Sequence, residues 1–338
     1  MTRNACITAL ALTAVLTPSA GAAVSRNAPV YPPPPETARI RYVRSIRSLE
    51  PWKPRRGLLK RLLRAVTGSG RQAALVRPLG VSVAGRVVYI TDPGAGCVHA
   101  LDGEDSSYVR IPRKGTLVSP VDAAADADGN VFVTDSKRAT VTSFAPDGRR
   151  RYSLPGTFVR PTGIAFDAGR NLLYITDTGA HSIITCAPDG SSRRDFGTRG
   201  GGQGEFNFPT SIRLAADSAL YVVDAMNFRV QRLDRSGTFH AMFGRLGDGS
   251  GNFSRPKGIA LDPDGHVYVV DALFDAVQIF DRDGTFLLAF GEPGRGAGQF
   301  WLPSGIAIDP DGTIYVADAY NARVQVFEYL GDSKSREP

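Results

Sequence analysis

The chain has 338 residues, 42% of them hydrophobic, with 37 glycines, 23 prolines and a formal net charge of +7. Strong aliphatic runs between frequent glycines and prolines exclude a disordered chain and are typical of short strands joined by tight turns. The sequence contains no run of 18 or more apolar residues, which a permanent membrane span would need. The charge is uneven, because residues 1–76 hold 13 Lys and Arg against 2 acidic residues (net +11) and the remainder holds 27 against 31 (net −4).

Residues 1–22 have the pattern of a secretory signal peptide. Arg3 precedes an apolar run from Ala5 to Leu16, and Ala20-Gly21-Ala22 is a small-x-small cleavage pattern. The apolar run is too short for a permanent anchor. We therefore expect export to the periplasm or the extracellular space, with a mature chain that starts at Ala23 or at Val24.

A Pro-rich lead at 23–38 is followed by an isolated strand-like segment at 39–47, which contains RIRYVRSI. A basic insertion at 48–76 comes next, with apolar residues at helical spacing opposite three cations. A basic amphipathic helix can lie on an anionic membrane surface, which would give peripheral membrane contact through residues 55–66. The alternative, favoured by a length of about ten residues, is a short helix that covers one face of the fold.

Six copies of one unit occupy residues 77–331. Each copy contains a landmark aspartate at the end of an apolar run, and the intervals between these aspartates are 43, 42, 47, 47 and 47 residues. Every unit contains four strand-like segments separated by Asp/Gly turns or short loops. Four short antiparallel strands in a period of 40-odd residues are typical of a propeller blade. The landmarks are Asp92, Asp135, Asp177, Asp224, Asp271 and Asp318.

The fold class expected is all-β, a six-bladed β-propeller of four-stranded antiparallel blades. The last unit supplies only three strands before the polar tail at 332–338. The segment at 39–47 is therefore predicted to supply the fourth strand of the last blade and to close the ring. We expect a monomer.

The sequence Asp-Pro-Asp-Gly, at 262–265 and again at 309–312, begins like a calcium loop and also like a tight turn. The turn interpretation is favoured, because the motif recurs where a hairpin must turn and no glutamate twelve positions on completes a calcium loop.

The segment GQFWLPSGIAIDPDGTIYVADAYNARVQVF (298–327) strongly resembles the NHL repeat. The fourth unit matches at Asp224, Asn227 and Arg229, whereas the fifth has Ala276 in place of that arginine. The first three units are degenerate there, with Cys97, Thr140 and Ser182. The resemblance covers about residues 77 to 330 and implies a propeller of the TolB-like kind. It leaves function open, since such propellers bind proteins, bind RNA, or act as lyases and lactonases.

Catalytic and metal-binding chemistry is weakly supported by the sequence. His99, His181, His240 and His266 fall at different places in their repeats, namely third strand, loop, fourth strand and second strand. No histidine pair has zinc-ligand spacing. The landmark aspartates are expected to accept backbone N–H bonds within their own loops. No cofactor is therefore expected, and zinc or calcium belongs to the alternative of a metal-dependent propeller lyase or lactonase.

Three further features of the sequence bear on disulfides, nucleotide binding and nucleic-acid binding. Cys97 and Cys186 lie in blades one and three, too far apart for a disulfide, so free thiols are expected.

The glycine-rich segments that begin at Gly197, Gly244 and Gly291 open strands rather than helices, so they are predicted to connect blades rather than to bind nucleotides. No nucleic acid is expected as a partner, because RNA binding needs a basic face and the repeat region is net negative.

The remaining functional signal is a surface. Connections between blades and loops between second and third strands emerge on one face of a propeller, and aromatic residues and arginines gather there. Such enrichment is typical of interface hot spots, although Phe228 and Tyr320 could instead cover the core. We expect a non-catalytic binding module for a protein, glycan or small ligand of the cell envelope. The candidate face comprises Arg138, His181, Arg199, Met226, Phe228, Arg245, Phe274, Arg295, Trp301 and Tyr320.

Overall fold

A computed structural model describes residues 28–52, 74–103 and 105–331. The signal peptide predicted at 1–22, the helix predicted within 55–66 and the tail at 332–338 lie outside the described residues. In the described part, no helix has the length and apolar character needed to cross a membrane.

The strands are numbered in chain order. Two of them, β1 (Val30–Tyr31) and β2 (Ile40–Ile46), precede the repeats and are followed by the 3-10 helix η1 (Glu50–Trp52). Each of the first three blades is one antiparallel sheet of four consecutive strands. These are β3 (Val81–Ala84), β4 (Val87–Asp92), β5 (Cys97–Asp102) and β6 (Ser107–Ile111); β7 (Pro120–Ala125), β8 (Val131–Asp135), β9 (Thr140–Phe144) and β10 (Arg150–Ser153); and β11 (Pro161–Asp167), β12 (Leu172–Asp177), β13 (Ser182–Cys186) and β14 (Arg194–Phe196).

The last three blades follow the same plan, with two more 3-10 helices, η2 (Ala225–Asn227) and η3 (Ala319–Asn321), between second and third strands. A two-residue parallel ladder, β23 (Glu292–Pro293) with β24 (Gln299–Phe300), lies in the connection to the last blade. The blade strands are β15 (Pro209–Leu214), β16 (Leu220–Asp224), β17 (Arg229–Leu233) and β18 (Phe239–Phe243); β19 (Pro256–Leu261), β20 (Val267–Asp271), β21 (Ala276–Phe280) and β22 (Phe286–Phe290); and β25 (Pro303–Ile308), β26 (Thr313–Asp318) and β27 (Arg323–Tyr329).

The first strands of the six blades form a closed ring around a central axis. Each contacts the first strand of the next blade, and β25 contacts β3. The strands approach closely at Gly305, where a Cβ atom would lie 2.6 Å from the carbonyl oxygen of Leu79 and 2.7 Å from the Cα of Gly80. Only glycine fits so near a neighbouring backbone. The six-bladed propeller predicted from the repeats is confirmed.

The closing strand is also confirmed. β2 pairs antiparallel with β27, with Ile40 opposite Tyr329 and Ile46 opposite Val324. Both isoleucines are buried in the core clusters that join the last blade to its neighbours. The Pro-rich lead contains a strand that the sequence pattern does not predict. This strand, β1, pairs with the outer side of β2. Two residues are too few to show the alternation that identifies a strand.

The Asp-Pro-Asp-Gly segments form hairpin turns, as predicted. The N–H of Gly265 donates to the carbonyl oxygen of Asp262 at 3.0 Å, and Gly312 does the same to Asp309. The Asp262 carboxylate accepts the N–H of His266 at 2.8 Å. His266 therefore belongs to the turn, one residue before β20, and its placement in the second strand is corrected.

Cys97 and Cys186 are free thiols, as predicted, and both are buried. Burial raises the pKa of each thiol to about 11. At pH 8 we therefore expect the folded protein to protect both cysteines from a thiol reagent, because the thiolate is the reactive form and reagent access is blocked. Reaction with Ellman's reagent before and after denaturation in guanidinium measures this. In a chain that starts at residue 28 and so lacks Cys6, a native thiol that reacts as fast as free cysteine would contradict the burial.

Candidate functional site

The propeller has two faces with different loops. The upper face carries the connections between blades and the loops between second and third strands, and the lower face carries the hairpins between first and second strands. The central axis opens as a mouth on each face. The upper mouth has a volume of about 210 Å³. The lower mouth divides into two adjoining cavities of about 360 and 260 Å³.

The landmark aspartates organise the upper face. Asp135 accepts N–H bonds from Val118 (2.7 Å), Ser119 (3.0 Å) and Arg138 (3.1 Å). Backbone N–H bonds are predicted, but two of these three come from the connection that enters the blade rather than from the aspartate's own loop. The carboxylates of all six landmarks are almost fully buried. They tie each blade to the preceding connection, which is a structural role.

Blades four and six use the NHL side chains for the same purpose. In blade six, Asp318 accepts a hydrogen bond from Arg323 Nε at 2.6 Å and from Gln325 Nε2 at 3.2 Å. Arg323 Nη2 donates to the carbonyl oxygens of Gly296 (2.7 Å) and Gln299 (2.6 Å). The glycine-rich connection therefore folds around a buried guanidinium group. This confirms that the segment is a blade connection.

In blade one, Cys97 and His99 occupy the positions that Arg323 and Gln325 have in blade six. His99 Nε2 lies 3.5 Å from Asp92 Oδ2 and 3.6 Å from Cys97 Sγ, and His99 Nδ1 lies 3.1 Å from the Tyr108 hydroxyl. These residue types also occur in nucleophilic sites. Here the thiol is buried and its pKa is raised to about 11, so the group is a packed polar cluster rather than a reactive centre.

The ten candidate residues differ in exposure. His181 is buried, and its Nδ1 accepts the N–H of Phe208 at 3.2 Å. Phe228 and Phe274 are half-buried, and Phe228 packs against a core cluster. The other seven are exposed on the upper face, namely Arg138, Arg199, Met226, Arg245, Arg295, Trp301 and Tyr320.

Positive φ at His181 is a property of the loop rather than of this histidine. The residue four positions after each landmark aspartate has positive φ in all six blades. His181 and Phe228 therefore hold an architectural position, and backbone strain is no sign of function there. The six residues are Gly96, Ala139, His181, Phe228, Asp275 and Ala322.

Three of the candidates form one cluster. The rings of Trp301 and Tyr320 lie 5.5 Å apart, and the guanidinium carbon of Arg295 lies 4.8 Å from the centre of the Trp301 ring. Trp301 is 40% exposed and Tyr320 is 57% exposed. An exposed aromatic pair with a stacked arginine offers both apolar area and a cation to a partner.

The upper face also exposes apolar side chains that the sequence pattern does not predict. Each blade exposes at least one large apolar side chain on the upper face. Five of these were not predicted, four at positions that recur between blades and the fifth, Leu246, in the connection to blade five. Val76, Val118 and Val159 each stand two residues before a proline, as Trp301 does, and Leu273 occupies the position of Met226 and Tyr320. Aligning the repeats on their prolines could have revealed them. We call this set the apolar ring: Val76, Val118, Val159, Met226, Leu273, Trp301 and Tyr320.

An ion pair crosses the central tunnel. Arg213 of blade four donates through Nη1 to Asp122 of blade two at 2.9 Å and through Nη2 to the carbonyl oxygen of Val81 at 3.3 Å. Arg213 lines both the upper mouth and the lower mouth. Its side chain therefore separates the two mouths. The other blades have small residues at this position: Ser82, Ala124, Ala165, Ala260 and Ala307.

Among the described residues, one group of three side chains has the spacing for a metal ion: Asp262, Asp264 and His266. It lies at a first hairpin, which belongs to the lower face. His266 Nδ1 lies 2.8 Å from Asp262 Oδ2, and the Tyr268 hydroxyl donates to the same oxygen at 3.1 Å. These contacts engage the Asp262 carboxylate and His266 Nδ1.

Two segments of the chain, residues 253–275 and 300–327, match the family model of the NHL repeat. Similar solved structures include virginiamycin B lyase from Staphylococcus aureus, which is 18% identical with a TM-score of 0.56 over 75% of this chain and 95% of that chain. A nidogen/laminin complex is 23% identical, with a TM-score of 0.56 over 72% and 88%. An auxiliary nutrient binding protein from Bacteroides thetaiotaomicron is 15% identical, with a TM-score of 0.61 over 76% and 70%. At these identities the likeness shows the fold alone, and the neighbours include both binding proteins and an enzyme.

Proposed function

We propose, for this six-bladed propeller with NHL repeats, that it is an exported, non-catalytic binding module that captures a protein partner in the cell envelope through its upper face. The observation that carries the proposal is the apolar ring, in which every blade contributes to one face. Large apolar side chains exposed on one face of a monomer mark an interaction site where they lie together, as Trp301 and Tyr320 do. The proposed partner packs apolar side chains on this ring.

Within the ring, the Arg295–Trp301–Tyr320 cluster is the proposed hot spot. Tryptophan, tyrosine and arginine supply most of the binding energy in protein interfaces, because they bury large areas and still form polar contacts. The nidogen/laminin and nutrient-binding neighbours are consistent with such a role on this fold, while the lyase neighbour keeps a metal-dependent enzyme as the alternative.

Replacing Leu273, Trp301 and Tyr320 by serine tests the proposal. We expect a melting temperature close to that of the parent protein, because all three side chains are exposed, and a loss of at least tenfold in capture of the partner from envelope extract. The matched control replaces Met242 and Leu287, which are exposed on the outer strands β18 and β22, and should leave capture unchanged.

Equal loss of capture in both variants would mean non-specific apolar adhesion. Stoichiometric zinc or calcium in the purified protein, with a lyase or esterase activity that chelation removes, would favour the enzyme.

A further inference from the structure

Cations from blades three and five meet at the upper mouth. Arg160 and Lys257 line it, and Arg255 stands two residues before Lys257. Burial lowers the pKa of Lys257, and the charges of Arg255 and Arg160 lower it further. Like charges held together in a partly buried place are unfavourable unless an anion offsets them.

Among the described residues, no carboxylate forms an ion pair with Arg160, Arg255 or Lys257. The carboxylate in the wall of the mouth, Asp122, is already paired with Arg213 and accepts the N–H groups of Ala123 (2.9 Å) and Ile164 (3.3 Å). Within the part of the chain that the structure describes, the Lys257 ammonium group has no carboxylate within 4.0 Å and donates no hydrogen bond.

The walls and the size of the mouth suit a small polar ligand. Seven hydroxyl-bearing residues line it, and one of them, Ser119, accepts a hydrogen bond from Ser136 at 3.2 Å and so can donate its own proton. The Arg213 side chain, paired with Asp122, closes the mouth at its inner end. A volume of about 210 Å³ is below the range of drug-sized pockets and fits a small molecule. The seven residues are Ser119, Ser136, Thr162, Thr178, Thr210, Ser211 and Ser304.

We propose that the upper mouth is a binding site for a small-molecule oxyanion, a carboxylate or a phosphate, with Lys257 and Arg160 as its charged donors and Ser119 as a neutral donor. Charge-assisted hydrogen bonds of this kind are stronger than neutral ones. The site lies inside the apolar ring and does not depend on the proposed protein partner, because its ligand is held by cations and hydroxyls rather than by the ring.

The melting temperature of the protein, followed as sodium phosphate or sodium gluconate is added at constant ionic strength, tests the proposal. A ligand that binds the folded state raises the melting temperature in a saturable way. We expect such a rise with phosphate, with gluconate, or with both, and the responding salt identifies the anion class. Glucose should produce none, and sodium chloride at the same ionic strength is the reference. Failure of both oxyanions to produce a rise beyond that of sodium chloride would overturn the proposal.

The variant Lys257→Met separates binding from a structural role. It should weaken anion binding by about 10- to 100-fold, because a hydrogen bond to a charged group is lost. Without anion it should melt at or above the parent temperature, since the repulsion with Arg160 and Arg255 is removed. The matched control is Lys137→Met, an exposed lysine in the β8–β9 loop, which should leave both quantities unchanged. An unchanged anion affinity in Lys257→Met, or equal losses in both variants, would refute the assignment.

Discussion

A chain that starts at residue 48 is expected not to fold, whereas a chain that starts at residue 28 should melt like the full-length protein. The shorter chain loses β1 and β2, which leaves the edge of β27 unpaired and removes the buried side chains of Ile40 and Ile46. Truncating one buried isoleucine costs about 2–5 kcal/mol, and the total stability of a domain is about 5–15 kcal/mol. Circular dichroism on both chains, with thermal melting, measures the effect.

Ile40→Ala in the full-length protein provides a graded version of this test. It should lower the free energy of unfolding by about 2–5 kcal/mol while β2 keeps its backbone pairing with β27. Equal melting temperatures for the chains starting at 28 and 48 would show that the ring closes without β2.

Arg323→Ala is expected to destabilise the protein by about 3–5 kcal/mol. The Arg323 side chain is 3% exposed and its partner Asp318 is fully buried, so the variant leaves an uncompensated carboxylate together with the carbonyl oxygens of Gly296 and Gln299. Urea denaturation gives the change in unfolding free energy.

Two further variants show whether the ion pair is responsible. Arg199→Ala removes an exposed arginine and should change stability by no more than about 0.5 kcal/mol. Adding Asp318→Asn to Arg323→Ala should recover part of the loss, because the buried charge is removed along with its partner. If the double variant is as unstable as the sum of its single changes, the buried charge is not the cause.

The fold could be predicted from the sequence because its information is local and repeated. Landmark aspartates at nearly constant intervals establish six blades, and a last unit with three strands requires a fourth from elsewhere. β1 was not predicted, because its two residues show no alternation. Two of the three backbone donors to Asp135 were not predicted either, since they lie 16 and 17 residues before it.

The exposure of the candidate residues could be predicted only in part, because position in a loop does not determine which side chain is exposed. Trp301 and Tyr320 are exposed, as a binding role requires, but in the fifth blade the exposed residue is Leu273 and its aromatic neighbour Phe274 is half-buried. The cation site at Lys257 and the pair between Arg213 and Asp122 depend on contacts between blades that are distant in sequence, and no periodic pattern encodes them.

The Arg213–Asp122 pair closes the inner end of the upper mouth, so the upper mouth is a pocket with a single opening. A molecule that enters it has one way out, back through the opening encircled by the apolar ring. A partner seated on that ring would cover the opening, so the small molecule would have to arrive first and leave last. Dissociation of the small molecule would then slow as the partner concentration rises, and a molecule at the lower mouth would neither compete with it nor exchange with it.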